Sequence, residues 1–179
     1  MGRPQMALPW GDSTVLGAVL RAVASAGIED IRVVIGAARD VVEPLCVGVA
    51  VTTVLNAEYA RADMLSSIQA GLRSVPEAVE AALIVLGDQP QIEVETIRRV
   101  VEGYRHSTPR LVVPSHRMRR GHPWLVDRGL WQELLELGAN DTARRFLSHH
   151  EGEIKYVEID SATIHEDLDT PDDYLNSRP

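Results

Sequence analysis

The sequence predicts a single three-layer α/β domain with a mainly parallel sheet. Two observations support this: segments with helical spacing alternate with short apolar runs over residues 13–105, and those runs are rich in β-branched residues. The clearest run, residues 81–86, is too short for an ordinary helix and has no polar face, which is typical of a strand buried on both sides. No linker or internal repeat divides the chain, so residues 1–179 are treated as one domain.

The elements of the first half follow from local signals. Residues 1–12 contain glycines and prolines without periodicity and are predicted to form a loop. Ser13 or Thr14 is the predicted N-cap of a helix that ends near Gly27. The other elements predicted before the strand at residues 81–86 are strands over residues 31–36 and 49–55, a short helical piece around residues 40–45, and a helix over residues 64–75.

The second half continues the mixed pattern. Apolar spacing predicts one helix over residues 94–103 and another around residues 130–135, and Asn140 or Asp141 is the predicted cap of a third that runs to residue 148. Pro171 is expected at the first turn of a final short helix, a position that proline favours. Predicted strands cover residues 111–114, 124–126 and 154–159.

Composition limits the classes of function. The chain has 179 residues, 45% of them hydrophobic, and a formal net charge of −8, which argues against a broad nucleic-acid interface. It contains no apolar run of the length of a membrane helix and no signal peptide, so we expect a cytoplasmic protein without membrane contacts. Cys46 is the single cysteine and lies in an apolar setting, which predicts a small buried residue rather than a nucleophile.

Asp88 directly follows the apolar run at residues 81–86 and Gly87, and Pro90 closes the turn. Ligands of open α/β sheets bind just beyond the carboxyl ends of the strands, so Asp88 is a candidate site residue. The alternative is that Asp88 only forms a turn or caps the next helix.

A second polar cluster, residues 165–173, holds five acidic residues in nine positions. Such a run is often a solvated face or a helix start that complements the dipole. In an extended segment, however, Asp167 and Asp169 point to one side and Leu168 to the other, so Leu168 can anchor the segment in the core. One of these acids together with Asp88 would form a two-carboxylate Mg²⁺ site.

The third cluster is the basic loop at residues 115–123, which has three arginines within four positions. Guanidinium groups suit phosphate, and Gly121 permits close approach of the backbone. Arg117 is expected to be simply exposed. For His122 two roles stay open, a donor to a ligand and a structural histidine that fixes the loop.

A weaker signal lies at the start of the helix predicted over residues 64–75. Met64 is followed closely by Ser66 and Ser67, and hydroxyl groups at a helix N-terminus can contact a base or a phosphate. The alternative is that these serines are caps.

Five landmarks in a fixed order make the chain resemble the molybdenum cofactor cytidylyltransferases and their nucleotidyltransferase relatives. They are the tail of an N-terminal signature (residues 1–11), a Met-Ser-Ser-like helix start (64–68), Leu-Gly-Asp-Gln-Pro (86–90), Arg-Gly-His-Pro (120–123) and Asp-x-Asp-Thr-Pro-x-Asp (167–173). Each motif is weak alone, but together they span nearly the whole chain.

The resemblance implies a Rossmann-like nucleotidyltransferase fold and transfer of CMP from CTP to the terminal phosphate of molybdopterin, with release of pyrophosphate. It implies that Asp88 and Asp169 hold Mg²⁺ as the catalytic and metal-binding residues. It further implies an acceptor side at Arg120, Gly121 and His122, and a protein partner that is a molybdoenzyme or its chaperone. The nucleotide side would consist of Arg3, Gln5, Met64, Ser66 and Ser67 together with Asp88.

The chain departs from the family pattern in three places. The usual first strand and its Leu-Ala-Ala-Gly-x-Ser-x-Arg loop do not precede residue 1, Gln5 replaces a lysine, and Asp63 and Leu65 replace a glycine and a serine. The first strand is central in this topology, so its loss would expose two strand edges. We therefore expect residues before Met1 in the native protein, the alternative being another segment or subunit in the gap.

The two changes near the nucleotide also keep other functions open. A nucleotidyltransferase with another NTP or another acceptor is one alternative, because Gln5 and Asp63 fall where the nucleotide is held. A non-catalytic relative that binds a cofactor or partner is the other.

Overall fold

The computed structural model describes residues 4–61, 63–168 and 170–179. Its strands are, in order, β1 Pro9–Trp10, β2 Ser13–Thr14, β3 Arg32–Ile35, β4 Thr52–Leu55, β5 Ala81–Ile84, β6 Leu111–His116, β7 Arg119–Arg120, β8 Trp124–Asp127 and β9 Ile154–Glu158. Its helices are α1 Val15–Ser25, α2 Arg39–Val42, α3 Met64–Arg73, α4 Val94–Ser107, α5 Trp131–Glu136, α6 Ala143–His149 and α7 Pro171–Ser177.

The middle layer consists of two sheets that share no ladder among the described residues. Strands β3 and β4 form a parallel pair. The other sheet has the order β5-β8-β6-β7, and β9 pairs with β6 in parallel. Strands β5, β6 and β9 run in one direction, and β8 and the short β7 run against them. The α/β fold with a mainly parallel sheet that the sequence predicts is confirmed.

Helices cover both faces of this layer. On one face α1 packs beside α4, where Val19 and Val23 meet Ile97. On the other face α3, α5 and α6 enclose the largest core cluster, which includes Trp124 and Phe146. The alternation of helices and strands in the sequence thus produces three layers, as expected for strands with apolar side chains on both faces.

Most predicted elements occur close to their predicted positions. Thr14 is the N-cap of α1, and its side chain accepts a hydrogen bond from the Gly17 amide. Helix α7 begins at Pro171 with a capping box between Thr170 and Asp173. Cys46 is buried, as predicted.

Three local predictions were wrong. Residues 1–12 are not only loop, because a 3₁₀ turn at Gln5–Ala7 and the hairpin of β1 with β2 lie there. Helix α4 continues beyond Gly103 to Ser107 and ends where Thr108 adopts a left-handed backbone (φ 43°). Helix α6 is capped by Thr142 rather than Asn140 or Asp141, because the Asp141 carboxylate instead accepts from the Gly138 amide in the preceding turn.

None of the helices within the described ranges combines the length and the apolar character that crossing a membrane requires.

Candidate active site

The turn after β5 carries Asp88 to the carboxyl edge of the sheet, as the sequence predicted. There the Asp88 carbonyl oxygen accepts a hydrogen bond from the Leu168 amide at 3.3 Å. The Leu168 side chain has no exposed surface, which confirms that it anchors the acidic segment in the core. The apolar residue between two acids therefore fixes this segment against the Asp88 turn.

Two glutamines strengthen the same junction. The Gln89 side chain is 1% exposed and donates its amide to the Asp167 carboxylate. The Gln5 side chain donates to the Leu168 carbonyl oxygen. Because Asp167 accepts from Gln89, its carboxylate is held at the turn. Gln5 was predicted as a nucleotide contact, and here its amide connects the start of the chain to the acidic segment.

Two predicted site residues, Arg3 and Asp169, lie outside the described residues. Within the described ranges, no group of three or more histidines, cysteines and acids is arranged to hold a metal ion. The predicted pairing of Asp88 with Asp169 therefore stays a prediction.

The Arg-Gly-His-Pro turn packs directly on the segment that precedes Leu168. A Cβ atom on Gly121 would lie 2.4 Å from the Ile164 carbonyl oxygen, so this approach requires glycine. The His122 amide donates to the same carbonyl oxygen at 3.0 Å, and the following peptide bond to Pro123 is cis. The backbone of His122 thus helps to hold the two loops together, and both roles predicted for its side chain stay open.

The His122 side chain has the properties that a hydrogen bond to a ligand would require. Burial lowers the pKa of its imidazole, although the nearby Asp167 carboxylate and the Ile84 carbonyl group act in the opposite direction. The ring is therefore neutral at pH 7, and it can donate from one nitrogen and accept at the other. Its buried Nδ1 has no hydrogen-bond partner among the described residues.

Several other buried polar side-chain atoms also have no hydrogen-bond partner among the described residues. Among the described residues, the atoms without a partner include Gln89 Oε1, both side-chain polar atoms of Gln91, and His165 Nε2. The His165 ring lies 6.2 Å from the His116 ring. Gln91 and His165 were not selected from the sequence, although each lies within one or two residues of a recognised motif.

The side chain of Arg120 contacts residues of β9 and of the turn that precedes it. Its guanidinium group forms an ion pair with Glu151 at 2.7 Å and donates to the Tyr156 hydroxyl at 2.8 Å. These contacts do not include the Asp88 turn, so an acceptor contact by Arg120 stays a prediction. Arg117, expected to be exposed, is exposed.

The start of α3 is held by a network that the sequence analysis missed in part. The Asp63 side chain is the N-cap and accepts from the Ser66 amide at 2.6 Å. Buried Asn56, at the carboxyl end of β4, donates to the hydroxyls of Ser66 and Ser67 at 3.0 and 3.2 Å. The cap is therefore Asp63 and neither serine, and Ser66 has a structural role.

The side chains of Met64 and Ser67 line a groove that also borders Asp88. Contact of Met64 and Ser67 with a nucleotide stays a prediction. The only sequence signal for Asn56 is an amide residue directly after a strand, which is too common a pattern to indicate this role.

The profile of the MobA-like NTP transferase domain matches residues 1–154, which is most of the chain. The chain belongs to this family. It is 25% identical over 178 residues to the molybdenum cofactor cytidylyltransferase of Escherichia coli, a match that covers 99% of this chain and 88% of that protein.

Solved structures support the same assignment for this MobA-like transferase. The Mycobacterium tuberculosis protein Rv0371c superposes with a TM-score of 0.84 at 26% identity, covering 98% of this chain and 89% of that chain. A manganese complex of Rv0371c superposes at 0.81, covering 98% and 91% at 27% identity. A nucleotidyl transferase from Methanothermobacter superposes at 0.80, covering 97% and 83% at 25% identity. The protein is thus a nucleotidyltransferase with the fold of that family.

Proposed function

We propose that this enzyme transfers CMP from CTP to the terminal phosphate of a molybdopterin-type acceptor, with Mg²⁺ as the divalent cation. The observation that carries the proposal is the hydrogen bond between the Leu168 amide and the Asp88 carbonyl oxygen. It joins the two acidic motifs at the carboxyl edge of the sheet, where α/β folds bind ligands. The relation to the Escherichia coli cytidylyltransferase favours CTP and molybdopterin within the family.

Asp88 and Asp169 are the proposed metal ligands. Asp169 directly follows Leu168 in the sequence, and the resemblance to the family implies that it shares the cation with Asp88. Carboxylate oxygens are ligands that Mg²⁺ prefers, usually one or two together with water and substrate phosphates. The manganese complex of Rv0371c supports a divalent cation in a related fold. When bound, the cation would neutralise charge on the α-phosphate and the leaving pyrophosphate.

The nucleotide is proposed to lie between the Asp88 turn and the start of α3. The Asp63 carboxylate already caps the positive end of that helix. A triphosphate there would be repelled by Asp63, so we assign Met64 and Ser67 to the base or ribose.

The acceptor is proposed to lie on the side of His122. The buried Nδ1 of His122 has no hydrogen-bond partner among the described residues and is suited to a polar atom of a pterin ring. Because the His122 imidazole is neutral, it would hydrogen-bond to the acceptor without adding charge.

In the reaction an oxygen of the acceptor phosphate attacks the α-phosphorus of the nucleotide. The bond from that phosphorus to the bridging oxygen breaks, and pyrophosphate leaves with the electron pair. The attacking oxygen is already anionic, so no side chain has to remove a proton. The task of the protein is to align the two phosphates and to exclude competing water.

A nucleotidyltransferase with another NTP or acceptor is the second candidate. It is favoured by Gln5, whose amide is neutral where the family usually has a lysine, and by the acidic cap Asp63. Without the positive charge of that lysine, any triphosphate would bind more weakly. The preference for one base over another would then depend on other contacts.

The test combines binding with turnover. The four NTPs are compared by their shift of the melting temperature in the presence of Mg²⁺, and CTP should give the largest shift. Pyrophosphate release is then measured with CTP and molybdopterin, with each substrate omitted in turn as the control. A larger shift and faster release with another NTP would support the second candidate. Binding without release for any NTP would indicate a non-catalytic relative.

A further inference from the structure

One segment near the start of the chain contacts both of the motifs that meet at the active site. Residues 5–10, which we call the N-terminal strap, consist of a 3₁₀ turn and the first strand of a hairpin. Met6, within that turn, packs in the core cluster that includes Leu16. Its sulfur would lie 3.8 Å from a Cβ atom built on Gly87. The strap therefore borders the Asp88 turn.

The strap also contacts the acidic segment, residues 165–173. The Gln5 side-chain amide donates to the Leu168 carbonyl oxygen. Leu168 has no exposed surface, and its own amide donates to the Asp88 carbonyl oxygen at 3.3 Å. Both main-chain polar groups of this buried residue are thus satisfied by protein atoms, as buried backbone groups require. One of the two partners is the side chain of Gln5.

A second contact of the strap lies in the helix that follows the acidic segment. The Tyr174 hydroxyl donates to the Pro9 carbonyl oxygen at 2.7 Å. The rings of Tyr174 and Trp10 also lie near each other, with centroids 6.4 Å apart. Tyr174 belongs to α7, whose first turn is fixed by a capping box. The strap therefore holds the chain on both sides of Asp169 in the sequence.

The contact of Gln5 bears on the role of its side chain. A Gln5 side chain turned toward a nucleotide would leave the buried Leu168 carbonyl oxygen without a partner among the described residues. An unsatisfied buried acceptor costs more free energy than one neutral hydrogen bond contributes. An amide also lacks the charge that makes ammonium and guanidinium groups strong donors to phosphate. Both facts favour a role in holding the acidic segment.

We propose that Gln5 and Tyr174 are positioning residues. Through the N-terminal strap they hold the acidic segment and α7 against the Asp88 turn, and Gln5 does so in place of a contact with the nucleotide. The effect on turnover rests on the proposed function, because it assumes that the acidic segment serves CMP transfer. The holding contacts themselves do not, since they form without any substrate.

The first experiment measures amide hydrogen exchange of Leu168 by NMR, in the absence of nucleotide and metal. Gln5→Leu removes the donor to the Leu168 carbonyl oxygen, and Tyr174→Phe removes the donor to Pro9. Each change should speed the exchange about tenfold, because a segment released at one contact opens more often. Gln5→Lys keeps a donor at the same position, so its exchange should stay close to that of the wild type.

Tyr104→Phe is the matched control for the loss of a tyrosine hydroxyl. The Tyr104 hydroxyl donates to the Asp127 carboxylate at 2.6 Å, at the edge of the sheet opposite the Asp88 turn. This variant should melt at a lower temperature, yet its exchange at Leu168 should equal that of the wild type.

Three results of this experiment would overturn the proposal. They are unchanged exchange in Gln5→Leu, unchanged exchange in Tyr174→Phe, and equally fast exchange in the control.

The second experiment separates positioning from nucleotide contact. In Gln5→Leu the kcat of pyrophosphate release should fall about tenfold, because the acidic segment is no longer held in place. The KM for CTP should stay within about twofold of the wild-type value, and CTP should shift the melting temperature as it does in the wild type. Tyr174→Phe should show the same division between kcat and KM.

Two results of the second experiment would contradict the positioning role. A higher KM for CTP with an unchanged kcat in Gln5→Leu is the signature of a lost nucleotide contact. A wild-type kcat together with fast exchange at Leu168 would show that the strap holds the segment without any effect on turnover.

Failure of this proposal and failure of the proposed function are distinguishable. If the wild type releases no pyrophosphate with CTP and molybdopterin, the proposed function fails, and exchange at Leu168 still decides whether the strap holds the acidic segment. If CMP transfer proceeds but neither variant changes the exchange, only the positioning role of Gln5 and Tyr174 is lost.

Discussion

The Leu168 amide donates a hydrogen bond to the Asp88 carbonyl oxygen, which joins two motifs that lie 80 positions apart in the sequence. Because the bond uses main-chain atoms, it persists when the Asp88 side chain is changed. A change of the Asp88 side chain leaves both atoms of this bond in place, and this makes Asp88 a useful position for testing the proposed chemistry.

We expect Asp88→Ala to lower kcat/KM by a factor of about 10² to 10³ or more. The proposed Mg²⁺ would lose a carboxylate ligand, so the negative charge on the phosphates would no longer be neutralised. The melting temperature should stay within a few degrees of the wild-type value. Steady-state pyrophosphate release and a thermal melt measure both quantities. The control is Asp172→Ala, an exposed acid in the first turn of α7. Full activity of Asp88→Ala would remove this carboxylate from the mechanism.

Gln89 is expected to act as a positioning residue for the acidic segment. Gln89→Ala removes the donor to Asp167, so kcat/KM should fall about tenfold and the Mg²⁺ concentration for half-maximal rate should rise. A double-mutant cycle with Asp167→Ala, which removes the acceptor, tests the mechanism, because two changes in one hydrogen bond should not add. Strict additivity, with an unchanged Mg²⁺ requirement, would show that Gln89 acts elsewhere.

Gly121 should not tolerate a side chain. In Gly121→Ala the new Cβ would lie 2.4 Å from the Ile164 carbonyl oxygen, so the two loops must move apart. Overpacking of this kind costs about 1–3 kcal/mol of the free energy of unfolding. Urea denaturation measures it, and Gly152→Ala is the matched control because a Cβ there meets no atom within 4 Å. Similar stabilities of both variants would contradict the close packing.

His150 is expected to make stability depend on pH. Burial lowers the pKa of this imidazole, but hydrogen bonds to Glu153 and Glu133 outweigh burial, and the net direction is a raised pKa. Arg110 also contacts Glu153, and the His149 ring packs 5.3 Å from that of His150. A cation paired with two carboxylates contributes in full below the unfolded pKa of about 6.5. That contribution is lost as the pH rises through the folded-state pKa.

The variant His150→Gln removes the titrating group and should flatten the pH profile. Between pH 6 and pH 8 the wild type should lose more of its free energy of unfolding than this variant does, as measured by urea denaturation at each pH. The exposed His106→Gln is the control and should follow the wild type. Parallel profiles for His150→Gln and the wild type would exclude a stabilising charge at this position.

The motifs of the site could be predicted from the sequence, but their contacts could not. Leu168 could be identified as an anchor because successive side chains of an extended segment point to opposite sides, so an apolar residue between two acids is expected to be buried. Asn56 and Gln91 were missed because a polar residue after a strand or beside a motif has many local uses. The partners of Arg120 were missed because a long side chain selects among neighbours that only the folded sheet provides.

The sequence by itself determined the order of the longer helices and strands, but not the two-residue strands β1, β2 and β7, because the periodicity of apolar residues reflects the burial of each local element. It also determined that Asp88 lies at the carboxyl edge of a strand. Only the tertiary structure decided that the sheet is divided at β3 and β5, and that the Asp88 turn meets Leu168. The physical reason is that strand pairing and loop contact depend on residues far apart in the chain, whose meeting no local pattern specifies.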